Sequence, residues 1–248
     1  MTAARTSPLS TLLQDYGPTW IDIADMALPA SFVDADAERS TANDLALCDV
    51  SGFCRFVLKG KDAAAYLEEA GIALPDKING VVEIDGGGLV IRTGGAEWMV
   101  EEETHPIPSR REGASRLKET LNFLTMRQES VAFLQRERAL PSGVDGVGLY
   151  PAPGASFLLS GARASDVLLE TCNVDLRSPE GDLVMTRVAG VSCYILFRTL
   201  NGIPAFQFWT DASYAHYLGE TLLEIIQEHN GGVAGVSCYF PEVSLPQT

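Results

Sequence analysis

Basic residues are scarce in this chain. Eighteen lysines and arginines stand against 33 aspartates and glutamates, a formal net charge of −15. That deficit excludes unassisted binding to nucleic acid or to an anionic membrane surface, since both need a basic footprint. Long apolar runs are missing too: none approaches the roughly 20 residues that span a bilayer. The N-terminal run MTAARTSPLSTLLQDYG has one arginine and no uninterrupted apolar core, so no secretory leader is expected and the expected location is cytoplasmic. Cysteine is sparse and odd in number (Cys48, Cys54, Cys172, Cys193, Cys238), with no CxxC pair, which excludes a closed disulfide framework. The three histidines, His105, His216 and His229, share no ligand spacing with them, so no metal is expected. Ser51-Gly52 and Ser160-Gly161 lie outside any GxSxG elbow, and Cys54, although beside Arg55, reads as a buried strand thiol.

What is present is ordinary globular material: 248 residues, 46% apolar and 21% charged, enough for one large domain or two small ones. LALCDV and FCRFVLKG read as strands, and a helix follows Gly60 with Ala63, Tyr66, Leu67 and Ala70 on one face. NGVVEID and GLVIR read as strands around Gly86-Gly87-Gly88, with AEWMVEE as the next strand. The same order returns 101 residues later, where Phe157, Leu158, Leu159, Gly161, Ala164 and Leu168 match Phe56, Val57, Leu58, Gly60, Ala63 and Leu67. DLVMTRVAG, SCYILFR and PAFQFWTD continue as strands. A helix is then expected over 212–229, with Tyr214, Tyr217, Leu218, Leu222 and Ile225 as its apolar stripe. Two related strand–helix–strand–strand halves predict an α+β protein with internal pseudo-symmetry.

Gly60-Lys61 between a strand and a helix suggests a phosphate loop, but the P-loop pattern needs a second glycine and a Ser or Thr after the lysine. Asp62 follows Lys61, and the second copy has Ala162 in the lysine's place. The glycine therefore reads as a turn device. Between the halves, residues 109–138 carry seven of the 18 basic residues against four glutamates, a net +3 in an acidic chain. Leu117, Leu121, Leu124 and Val131 give this stretch an amphipathic helical period. It is either a solvated crossover or, over 113–138, a docking helix for an acidic partner. The expected organisation is an N-terminal segment and first half over 1–103, a basic helical insertion over 104–146, and a second half over 147–248.

Several weak motifs in order resemble the glycine-cleavage T-protein (aminomethyltransferase) family and the gamma subunit of heterotetrameric sarcosine oxidase. They are Pro8-Leu9, Ile23-Ala24-Asp25-Met26 followed by Pro29, Asp49-Val50-Ser51, and Gly60-Lys61-Asp62-Ala63 with Leu67. FLLSGARASDVLLETC is similar to the family's second turn. The resemblance covers roughly 8–103 and 147–230 and implies the pseudo-two-fold, tetrahydrofolate-binding T-protein-like fold. The family's C-terminal barrel is expected to be lacking, as in the gamma subunit.

The resemblance also directs attention to particular residues. The family's catalytic aspartate follows a Gly-Ile-Ile-Asp-Asp strand, and the counterpart here is Gly80-Val81-Val82-Glu83-Ile84-Asp85. Asp85, with Glu83 as its neighbour on the same face of an alternating strand, is the catalytic candidate. The alternative is two solvated acids leading into a hairpin. The family's cofactor-holding Asn-Ala-x-Asn is replaced by Val100-Glu101-Glu102-Glu103, whose carboxylates would repel folate's glutamate tail. Of Arg-Thr-Gly-Tyr-Thr-Gly-Glu, only Arg187 and Gly190 have counterparts. Arg187, Glu102 and Trp98 are the positions left for cofactor contact. Trp20, Trp98 and Trp209 are either core or the lining of a central small-molecule cavity.

Three functions follow as expectations. The first is an accessory, gamma-type subunit of a multi-subunit amine-oxidising or demethylating enzyme in folate-linked one-carbon metabolism, with a larger flavoprotein as partner. The second is a tetrahydrofolate-dependent aminomethyl- or methyl-transferase. The third is a binding module for another small molecule. Tetrahydrofolate is the one cofactor implied.

Overall fold

The computed structural model describes residues 5–23, 26–69, 71–84, 88–102, 146–152, 154–176, 181–241 and 243. Asp85, Glu103 and the helix expected over 113–138 lie outside them. In chain order, β1 (Arg5–Thr6), α1 (Ser10–Leu13), β2 (Thr19–Ile23), β3 (Met26–Ser31), α2 (Ala35–Asp44) and β4 (Ala46–Asp49) come first. Then follow β5 (Cys54–Lys59), α3 (Ala63–Glu69), β6 (Val81–Glu83), β7 (Leu89–Gly94), β8 (Glu97–Glu102) and β9 (Gly148–Pro151). The rest are β10 (Ala155–Ser160), α4 (Ala164–Thr171), β11 (Val184–Val188), β12 (Val191–Leu200), β13 (Ile203–Thr210), α5 (Ala212–Glu228), β14 (Gly232–Val233) and α6 (Val236–Tyr239).

These elements form two units, one built on Phe53–Ala152 and the other on Ala4–Gly52 with Pro153–Thr248. The first holds a five-stranded sheet in the order β6-β7-β8-β5-β9. The second holds a six-stranded sheet, β11-β12-β13-β10-β4-β14, and a three-stranded one, β1-β3-β2. The architecture is mixed α+β, as the alternation of strand and helix signals predicts.

The strand–glycine–helix module occurs once in each unit with one local geometry. Gly60 (φ 138°) and Gly161 (φ 100°) both sit in the region that L side chains avoid. Each accepts the N–H that opens its helix, Ala63 and Ala164, at 3.2 Å. Backbone packs tightly against both: a Cβ on Gly60 would lie 1.9 Å from the Gly146 carbonyl oxygen, and one on Gly161 would lie 2.3 Å from that of Asp44. Among the described residues Lys61 pairs with its neighbour Asp62, at 3.6 Å. The strand that precedes each module in sequence does not join it. β4 leads into β5 but pairs with β10, and β9 leads into β10 but pairs with β5.

In the second unit the core lies between one face of the six-stranded sheet and the helices α1, α4 and α5. Leu47, Phe157, Leu159, Ile195, Phe206 and Phe208 supply the sheet side, and Val167, Leu168, Leu218, Leu222 and Ile226 the helix side. Asp211 caps α5 by accepting the Ser213 N–H at 2.8 Å, which fixes where the helix starts. The buried stripe of α5 is Ala215, Leu218, Gly219, Leu222, Leu223 and Ile226. Tyr214 and Tyr217, expected on that stripe, are exposed. The stripe is rotated because Gly219 is the close-approach point: a Cβ there would meet Leu9 at 2.3 Å, so α1 seats against the glycine and not against the tyrosines.

In the first unit Phe56, Leu58, Val90, Trp98 and Val100 share a sheet face by register. All are buried, together with Ala63 and Leu67 of α3.

Candidate functional site

Pairing register places the acids of the first unit. Glu83 stands opposite Leu89, Leu89 opposite Glu101, and Glu101 opposite Arg55, one row across β6, β7, β8 and β5. The two carboxylates therefore share a face but lie two strands apart, about 10 Å. Glu83 is exposed, on the outer strand. Glu101 is wholly buried, and its Oε2 lies 3.3 Å from Nη1 of Arg55. The first of the three consecutive glutamates is thus paired inside the sheet. Arg55 is the partner that sequence reasoning missed: its phase with Val57 in the strand Cys54–Lys59 was the available signal.

Glu102 pairs with Cys54 in the β5–β8 register. Trp98 is buried, and its indole Nε1 has no hydrogen-bond partner among the described residues. The Arg92 guanidinium lies 5.7 Å from its ring centroid and donates to the carbonyls of Asp76 and Gly95 at 2.6 and 3.1 Å. That arginine closes the loop before β6 and covers the indole at the same time.

The second unit carries a different polar arrangement, on the face of its six-stranded sheet away from the apolar core. By register one row reads Met185, Tyr194, Trp209, Ser156, and the next reads Leu196, Gln207, Leu158, Cys48. Arg198 starts a third row with Ala205 and Ser160. Gln207 and Ser156 are fully buried and Arg198 is 8% exposed. Nη1 of Arg198 donates to Oε1 of Gln207 at 3.0 Å, and Nε2 of Gln207 donates to the Ser156 hydroxyl at 3.2 Å. The chain of bonds continues through Ser51, whose hydroxyl accepts the Ser156 N–H at 3.1 Å and donates to the Ser156 carbonyl at 3.3 Å. Asp49 accepts the Ser51 N–H at 2.9 Å and the Ser7 hydroxyl. Ser7 in turn accepts the Leu9 N–H at 3.1 Å, at the start of α1.

The Asp49-Val50-Ser51 motif is therefore a structural clamp joining α1, β4 and β10. The amide and guanidinium at the far end of the relay lie one and two rows from Tyr194 and Trp209. Gln207 fixes one nitrogen of the Arg198 guanidinium, whose planar fork is the geometry that recognises carboxylates and flat polar rings. Arg187 lies on the same face, opposite Ser192 on the outer strand β11, and is exposed. The buried arginine of this region is Arg198, which sequence reasoning missed. Its phase with Tyr194 and Leu196 in SCYILFRTL was the signal. Trp209 is buried and Trp20 is exposed on β2.

All four cysteines whose side chains are described are free thiols. Burial pushes Cys193 and Cys238 up from an ordinary 9.0 to about 11, and it raises Cys48 in the same direction. The folded state holds these protons more tightly than the unfolded chain does. Their contribution to stability is therefore complete below pH 9.0 and lost as the pH rises toward 11. Urea unfolding across that range is expected to show declining stability, with a shallower slope in Cys193→Ala/Cys238→Ala. An equal slope in the two proteins would contradict this assignment.

Among the described residues no cluster of three or more His, Cys, Asp or Glu could hold a metal ion. His229 pairs with Glu170 at 2.7 Å, and His216 faces Thr11 at 3.5 Å. No described helix is long and apolar enough to cross a membrane.

No family model matches this chain, and no curated protein matches it in sequence. Solved structures do share its fold. The glycine cleavage system aminomethyltransferase T from Bartonella henselae superposes on 95% of the chain with a TM-score of 0.63 at 15% identity. The chain spans 61% of that protein's length. A chain of the heterotetrameric sarcosine oxidase from Corynebacterium sp. U-96, solved with pyrrole 2-carboxylate, superposes on 98% of this chain and 99% of its own. The TM-score there is 0.55 and the identity 16%. At such identities the likeness establishes the fold: an aminomethyltransferase-like α+β protein, of the kind also found in sarcosine oxidase.

Proposed function

We propose that this chain is an accessory, gamma-type subunit of a multi-subunit amine-oxidising or demethylating enzyme in folate-linked one-carbon metabolism. The observation that carries the reading is the buried Arg55–Glu101 pair. Where the related transferases carry Asn-Ala-x-Asn at the cofactor, this chain has Val100, buried in the sheet, followed by a glutamate consumed by its own arginine. The other described acid of the row, Glu83, is exposed and lies two strands away, on the outer strand. The match over nearly the full length of a chain from a heterotetrameric oxidase supports the same reading. A larger flavoprotein is the partner, and the basic segment 113–138 is the element proposed to dock it.

The second reading, a tetrahydrofolate-dependent aminomethyl- or methyl-transferase, is favoured by the Arg198–Gln207 pair beside Tyr194 and Trp209. In that version Asp85 and Glu83 would handle the amine proton, with Arg187, Glu102 and Trp98 at the cofactor. Titration calorimetry with tetrahydrofolate separates the two. The accessory reading expects no heat at high micromolar ligand, together with co-purification of a flavoprotein from the native host. Saturable heat that Arg198→Met abolishes would favour the transferase instead.

A further inference from the structure

Among the described residues the three-stranded sheet has an unpaired edge at β2. β2 pairs with β3 on one side and, among the described residues, has no strand on the other. Its sequence, Thr-Trp-Ile-Asp-Ile, favours extended structure and contains neither the lysine nor the proline that commonly protects an edge. One irregularity, between Thr19 and Trp20, leaves the rest of the pairing regular from Trp20 to Ile23.

Apolar surface is exposed at the Thr19/Ser31 end of this sheet. Trp20 is 38% exposed, Val33 57% and Tyr16 36%. Tyr16 is held in place by an edge-on contact with Phe32, ring centroids 6.2 Å apart, and by Gln227, whose Nε2 donates to its hydroxyl at 2.5 Å. Between Arg5 of β1 and Arg39 of α2 the charge has one sign. Residues 6–38 contain no lysine, arginine or histidine and six acids, of which Asp15, Asp22 and Asp34 are exposed here.

We propose that this edge docks an extended, basic segment of a partner protein. The segment's backbone adds to β2 as a further strand, its apolar side chains cover Trp20 and Val33, and its lysines or arginines face Asp22 and Asp34. The edge calls for an extended backbone, and the exposed carboxylates of Asp15, Asp22 and Asp34 select the charge that backbone carries. The proposal rests on the subunit reading above for the existence of a partner, and its test does not require one.

The probe is a labelled peptide about eight residues long to match a strand, with threonine at every second position and valine and lysine taking turns at the others, so that both meet the face shared by Trp20 and Asp22. Binding is read by fluorescence anisotropy on the full chain. Asp22→Asn/Asp34→Asn is expected to weaken binding about tenfold. Asparagine keeps the N-cap that Asp34 gives α2 by accepting the Ala37 N–H, so that variant stays folded. Glu220→Gln/Glu224→Gln, which removes two exposed acids from α5, is expected to leave binding unchanged. A peptide with alternate amides N-methylated cannot pair with the edge and is expected not to bind. Equal weakening by the two double variants would reduce the effect to net charge and overturn the proposal. So would undiminished binding of the methylated peptide, or no binding of the plain one. Peptide binding without any flavoprotein recovered from the host would count against the subunit reading alone.

Discussion

Glu101→Ala is expected to lower the unfolding free energy by about 3–5 kcal/mol, the range for breaking a buried ion pair by removing one partner. The carboxylate is wholly buried and faces Arg55 in direct cross-strand register, so its loss leaves a guanidinium with 5% of its side chain exposed beside a new cavity. Most of that penalty belongs to the stranded charge and not to the pair's net worth. Arg55→Met/Glu101→Leu is therefore expected to recover much of the stability that either truncation loses. Urea unfolding with an unchanged m-value is the measurement. A loss under about 1 kcal/mol, the range of an exposed pair, would mean that solvent reaches the site. It would also remove the buried pair on which the accessory reading rests.

Gly161→Ala is the other large effect, an expected loss of about 2–5 kcal/mol from backbone strain and overpacking together. The added Cβ would lie 2.3 Å from the carbonyl oxygen and 2.4 Å from the carbonyl carbon of Asp44, both backbone atoms that cannot swing aside. The φ of 100° adds strain whatever the space. Gly190→Ala isolates that second contribution: its φ is 82° but nothing lies within 4 Å of the built Cβ. It should cost only about 1–2 kcal/mol. Equal losses at the two positions would show that the Asp44 backbone yields. The tight contact at the module's turn would then be dispensable.

The comparison between Tyr214 and Gly219 shows why part of this fold was legible and part was not. A 3.6-residue period locates a helix over 212–229 and narrows its buried face to one side, within a turn or so. Whether tyrosines or a glycine sit at the centre of that face depends on the helix that packs there, and α1 comes from the other end of the chain. The same holds for the acids. Alternation puts Glu83 and Glu101 on definable faces of their strands. It does not say that β8 is flanked by β5, which brings Arg55 to Glu101, while β6 is left at the edge with Glu83 exposed. Arg198 and Arg187 are both strand arginines by pattern. Only the sheet order makes β12 interior and β11 outer.

Local chemistry in the sequence by itself determined the α+β class, the strand–glycine–helix modules at 54–69 and 155–171, and the need for glycine at 60 and 161. It did so because alternation, helical period and turn propensity are properties of neighbouring residues. The tertiary structure alone decided that β4 joins β10 and β9 joins β5, that Asp49 and Ser51 clamp α1 to the sheet, and which charges are buried. Those outcomes rest on pairings between segments about 100 residues apart, and no local period records which distant strand will supply the missing edge.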